Sequence, residues 1–170
     1  MQNITVFLID KYVSMLIPSR SLLETQRDFI VVGEVTDRLS AASAVAHCCP
    51  DVVVLNMTLP IEDTLDAVRS IHTLCPSTRV ILLALFLKDE DVRQAIGVGV
   101  QGFVSYEAIT SELVKAIRTV VAGEPFLSRN LADYGEEVPL PKHGHQKRFD
   151  FGLPGRPPQP LGPFLFRDAD

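Results

Sequence analysis

The stretch Val52-Val53-Val54-Leu55-Asn56-Met57-Thr58-Leu59-Pro60 decides how the rest of the chain is read. Its apolar run is too short for a helix, is rich in β-branched residues, and suits a strand buried on both faces that runs out into a loop. An asparagine stands where that strand ends. A carboxylate at such a tip accepts a phosphoryl group or holds a metal. The amide of Asn56 has a delocalised nitrogen lone pair and an uncharged oxygen, so it cannot form an acyl phosphate.

Outward from this run, short apolar segments alternate with segments of helical period. ITVFLI (4–9), FIVVGEV (29–35), DVVVLN (51–56), RVILLAL (79–85) and GFVS (102–105) read as strands. Between and after them lie SRSLLETQ, LSAASAVAHCC, DTLDAVRSIHTL, DEDVRQAIGVG and ITSELVKAIRTVVAG. In the last of these Leu113, Ala116, Ile117, Val120 and Val121 share a face; Thr110 and Ser111 precede it, with Glu112 in the first turn. Strands each followed by a helix return the chain in one direction, so the expected architecture is α/β: a doubly wound, five-stranded parallel sheet. In such sheets chemistry gathers beyond the carboxyl ends of the strands. Asp51 lies at the opposite edge and reads as a strand-entry residue.

Composition changes near Gly123. Eight of the twelve prolines fall in the last 47 residues, which carry no sustained helical period. The expected division is a folded domain over 1–125 and a proline-rich, largely disordered tail over 126–170. Within the tail, Pro157, Pro160 and Pro163 have the spacing of a polyproline II ligand and His143-Gly144-His145 pairs two imidazoles, but a solvated linker and a polar loop are the favoured readings. A truncation or a shifted reading frame after residue 128 would also give such a tail. Pro18, inside the first helical segment, requires either a kink or a late start, which would leave VSMLI partly irregular.

The net charge of −5 hides no basic patch: residues 1–123 hold ten basic against fourteen acidic side chains and the remainder six against seven. That balance lacks the footprint of a nucleic-acid binder. No apolar run reaches membrane-spanning length, so a cytoplasmic location without membrane attachment is expected. Cys48, Cys49 and Cys75 are odd in number and have no C-x-x-C spacing, which argues against a disulfide framework or a zinc site and for three small apolar residues. His47-Cys48-Cys49 cannot close on one ion, because consecutive helical side chains diverge by about 100°.

The segments ITVFLID, RDFIVVGEV, CPDVVVLNMTLP, DAVRSI, STRVILLAL, GVGVQGFVSYEA and ELVKAIRTVVAGEP follow one another at intervals that resemble a response-regulator receiver domain of the CheY-like (βα)5 kind. The likeness is to the receivers at the head of LuxR/NarL-type transcription regulators, and it extends from Ile4 to about Pro125. It implies a module of two-component signal transduction. Such receivers carry two acids after the first strand, an acceptor aspartate after the third, a hydroxyl after the fourth and a lysine after the fifth. Here only Asp10 matches. Lys11 takes the second acid's place, Asn56 the acceptor's, Ala84 the hydroxyl's and Tyr106 the lysine's. Phe103 stands at the switch aromatic, with plain core packing an equal reading.

The expected site is thus degenerate, with no catalytic residue and weak or absent magnesium binding, since Asp10 alone remains to offset the ion's charge. One expectation is that the Lys11 ammonium replaces the metal beside Asp10 and Asn56. The leading functional expectation is a phosphorylation-independent receiver that acts by contact with other signalling proteins, or with itself through the first and last helices. A LuxR-type DNA-binding regulator lacking its helix-turn-helix domain is the alternative. An enzyme on a flavodoxin-like sheet is the weakest reading, because no glycine loop follows a strand to cradle phosphate.

Overall fold

The computed structural model describes residues 2–57 and 60–132. Strands β1 (Ile4–Ile9), β2 (Phe29–Val35), β3 (Val52–Asn56), β4 (Arg79–Ala84) and β5 (Gly102–Ser105) alternate with helices α1 (Val13–Glu24), α2 (Arg38–Ala46), α3 (Ile61–Leu74), α4 (Asp89–Gly97) and α5 (Ile109–Val121). All strand pairs are parallel, in the order β2-β1-β3-β4-β5.

Alternation along the strands divides two cores. Phe7, Ile9, Val53, Leu55, Val80 and Leu82 face α2, α3 and α4, whereas Val6, Leu8, Val52, Val54, Ile81 and Leu83 face α1 and α5. Every residue of β3 is buried, which is why its sequence does not alternate with polar residues. Phe103 is 1% exposed within the first core. One irregularity occurs at the sheet edge: the β1–β2 register shifts between Val6 and Phe7, leaving an extra β2 residue before Gly33. A Cβ at Gly33 would lie 2.4 Å from the Phe7 ring, so the shift and the missing side chain together make room for it. Gly99, at φ +101, sits where a Cβ would lie 2.7 Å from the His72 ring, whose nitrogens bridge the carbonyls of Val98 and Thr78.

Four expectations need correction. The sheet has a sixth strand, β6 (Phe126–Leu127), paired in parallel with β5 and followed by the short helix α6 (Arg129–Ala132). The folded unit therefore runs past 125. Ser128, wholly buried, explains the extension: its N–H donates to the Phe103 carbonyl, its Oγ accepts from the Ser105 N–H, and the same hydroxyl donates to Glu112. Leu131 then closes over the core. Glu112 stands in the first turn of α5 as expected and is bound to Ser128, but Thr110 and Ser111 lie inside the helix, which starts at Ile109 without a side-chain cap. The proline-rich segment and the two histidines beyond 132 lie outside the described residues.

The third correction concerns α1, which begins at Val13, ahead of Pro18. The whole VSMLI stretch is helical. Pro18 and Ser14, whose carbonyl loses its intrahelical donor, are both exposed, so water can serve that oxygen. Of this stretch Leu16 enters the core while Val13 and Ile17 remain outside.

The fourth is covalent. Cys49 and Cys75 form a disulfide, with Cα atoms 5.5 Å apart, and Cys48 is an exposed free thiol. An odd count does not exclude a pair. Helices α2 and α3 are neighbouring crossovers on one face of a parallel sheet, so both end at the same edge and bring residues 26 apart in sequence together. Cys49 adopts φ 38, uncommon for a residue other than glycine, and its N–H returns to the Val45 carbonyl to end α2.

Candidate functional site

Asp51 sits at the start of β3, where its carboxylate accepts from the N–H and hydroxyl of Thr5. It ties two strand entries and belongs to the far edge of the sheet. At the carboxyl edge, Asp10, Asn56 and Tyr106 converge from the ends of β1, β3 and β5. Asp10 is 2% exposed. Its Oδ1 accepts from Asn56 Nδ2 at 2.8 Å and from the Tyr12 N–H at 2.8 Å, and its Oδ2 accepts from the Tyr106 hydroxyl at 3.0 Å.

The local backbone explains this convergence. Asp10 and the N–H two residues on close an Asx turn as the chain leaves β1 for α1. Tyr106 opens a single 3-10 turn (Tyr106–Ala108) that follows β5 and is capped by the Ser105 hydroxyl accepting from the Glu107 N–H. The turn aims the phenol back across β4's end toward β1. Burial, reinforced by the neighbouring Asp10 carboxylate, holds the Tyr106 phenol above its ordinary range, so it remains a hydrogen-bond donor. Ala84, 1% exposed at the end of β4, adds only a methyl group.

Lys11 does not take the metal's place. It is exposed, and its ammonium lies 5.7 Å from the centre of the Tyr12 ring. The Asx turn accounts for the outward path: with Asp10 turned into the pocket and Tyr12 N–H bound to it, the residue between them projects to solvent. Tyr106 instead binds the carboxylate, a partnership that sequence reasoning missed. An uncharged donor following β5 was treated as a lost lysine, although a phenol at that strand end can reach the acid at the end of β1.

Magnesium favours near-octahedral oxygen ligands including carboxylates. Among the described residues Asp10 is the one acid at this convergence, both its oxygens accept protein donors, and Asn56 turns its NH₂ group to it. His47 and Cys49 do not assemble a second centre. His47 Nδ1 meets the Ser43 carbonyl at 2.7 Å and Cys49 is in the disulfide.

A parallel sheet in this order, with an acid buried beyond β1 and facing the tips of β3 and β5, defines a receiver-type signalling module. The model of the response regulator receiver domain matches residues 6–118, and the chain belongs to that family, the receivers of two-component signalling. The transcriptional regulatory protein LiaR of Bacillus subtilis is 27% identical over 129 residues, covering 76% of this chain and 61% of that protein. Response regulator protein VraR of Staphylococcus epidermidis is 27% identical over 121 residues, or 71% and 58% of the two chains. The chain thus spans about three-fifths of the length of these curated relatives. Among solved structures, a LuxR-family two-component response regulator from Aurantimonas sp. SI85-9A1 superposes with a TM-score of 0.71 at 26% identity, covering 78% of this chain and 94% of that one. The receiver domain of Thermotoga maritima CheB, at 22% identity and a TM-score of 0.65, shares the fold. Among the described residues no helix is long and apolar enough to cross a membrane.

Proposed function

We propose that this receiver works in a cytoplasmic, two-component type pathway by contact with another signalling protein, without passing through an aspartyl phosphate. The observation that carries the reading is the Asn56 amide at the acceptor position, donating to the buried Asp10 carboxylate. An amide in that place has no charged oxygen to attack phosphorus. Ala84 offers no hydroxyl to a phosphoryl oxygen and Tyr106 no fixed cation, so nothing couples Phe103 to a phosphate. The contact surface would include the exposed Val13 and Ile17 of α1, which packs beside α5, and a second copy of the chain is one occupant that would suit it.

The metal half of this reading is tested by calorimetric titration with magnesium. The parent chain is expected to show no saturable heat at millimolar ion, and Lys11→Asp combined with Asn56→Asp to gain at least about tenfold in affinity by restoring carboxylates. A double variant that binds no better than the parent would contradict the view of this pocket as a disabled receiver site. For the contact itself, binding to a cognate signalling protein is expected to be unchanged by acetyl phosphate and magnesium.

A further inference from the structure

We propose that the cleft above Asn56 is a binding site for a small aromatic anion bearing an N–H or O–H donor. The inference rests on the reading that no phosphoryl group is attached there. The cleft, about 450 Å³, lies beyond the carboxyl ends of β1, β3 and β4, where parallel sheets hold ligands, and its size is that of a small-molecule site.

Its walls are apolar and unusually open to water. Tyr12, Leu85 and Phe86 line it while 55%, 66% and 46% exposed, and Met15 and Met57 complete the hydrocarbon surface. Large side chains gathered in this way around one opening gain from covering an aromatic face, and methionine adapts to its outline. The floor is polar and built. Asn56 is 5% exposed, its NH₂ group is committed to Asp10, and among the described residues nothing donates to its Oδ1. No fully buried side-chain polar atom among the described residues lacks a partner, so this oxygen is open to the cleft and can accept a hydrogen bond from an occupant in place of water. Among the described residues lining the cleft Lys11 alone carries a full charge, while the Asp10 carboxylate lies behind Asn56 and Tyr106 with its oxygens taken by their donors, so the charge a ligand meets at the rim is positive and its complement negative. Aromatic body, donor and anionic group are thus each called for by a different part of the same cleft.

Anilinonaphthalene sulfonate has all three features and serves as the probe. Titrated by fluorescence against the full chain, it is expected to bind saturably at one site, and about tenfold more weakly to Lys11→Glu and to Phe86→Ser. Leu39→Ser, which removes the equally apolar but distant Leu39, 95% exposed on α2, is expected to bind like the parent. All three changes are at exposed positions, and circular dichroism melts confirm that each variant is folded during the titration. No saturable binding, parent-like affinity in either Lys11→Glu or Phe86→Ser, an equal loss in Leu39→Ser, or a signal that tracks unfolded protein would each overturn the proposal. A flat titration would leave phosphorylation-independent signalling intact, whereas a phosphoryl adduct would defeat that reading and leave the dye result standing.

Discussion

Asp10→Ala is expected to lower the stability of the fold by roughly 3 kcal/mol, near 10 °C in melting temperature for a domain of this size. The cost comes from what the carboxylate leaves behind. Asn56 Nδ2 loses its acceptor at a buried position, at about 1–3 kcal/mol, and the half-buried Tyr106 hydroxyl loses its own at a smaller cost, while the Tyr12 N–H near the surface can turn to water. Lys11→Ala is the contrast. The ammonium lies on the Tyr12 ring instead of on Asp10, so its removal should change stability by less than about 0.5 kcal/mol. Urea melts of the two variants read both values. A pocket whose acid was strained by like charges would respond in the opposite direction, and a stabilised Asp10→Ala would show that the three donors are not holding it.

Reducing the Cys49–Cys75 bond is expected to cost roughly 3 kcal/mol, because a crosslink between residues 26 apart removes loop entropy from the unfolded chain. The same loss is expected for Cys75→Ser without reductant, and that variant should melt identically with and without dithiothreitol. Cys48→Ser, by contrast, keeps the pair and should respond to reductant as the parent does, since Cys48 is exposed and free. The protein's stability therefore depends on the redox state of its surroundings, and a strongly reducing compartment would hold it in the weaker form. Melts that do not move with reductant, paired with three alkylated thiols in the untreated protein, would remove this crosslink from the account.

Much of this architecture was legible in residues 4–105 because the central strands are buried on both faces: runs such as Val52–Leu55 have no helical period and tolerate no polar interruption. What escaped notice depended on contacts between distant segments. Phe126 and Leu127 form a strand only because β5 offers Gln101 and Phe103 carbonyls and Ser128 locks the turn, against a local composition that reads as linker. Cys49 and Cys75 meet only because two crossover helices end at one edge of the sheet. At the site, the placement of Asp10, Asn56 and Tyr106 followed from the strand ends. The roles of Lys11 and Tyr106 did not: a side chain's direction at a strand tip depends on the Asx turn after Asp10 and the 3-10 turn after Ser105, and neither has a distinctive sequence.

The most direct measurement is intact-mass spectrometry of the unmodified chain after incubation with acetyl phosphate and magnesium, followed by hydroxylamine. An amide at position 56, held to Asp10 by its own NH₂ group, predicts an unchanged mass before and after that treatment. A phosphoryl-sized increase that hydroxylamine removes would contradict it.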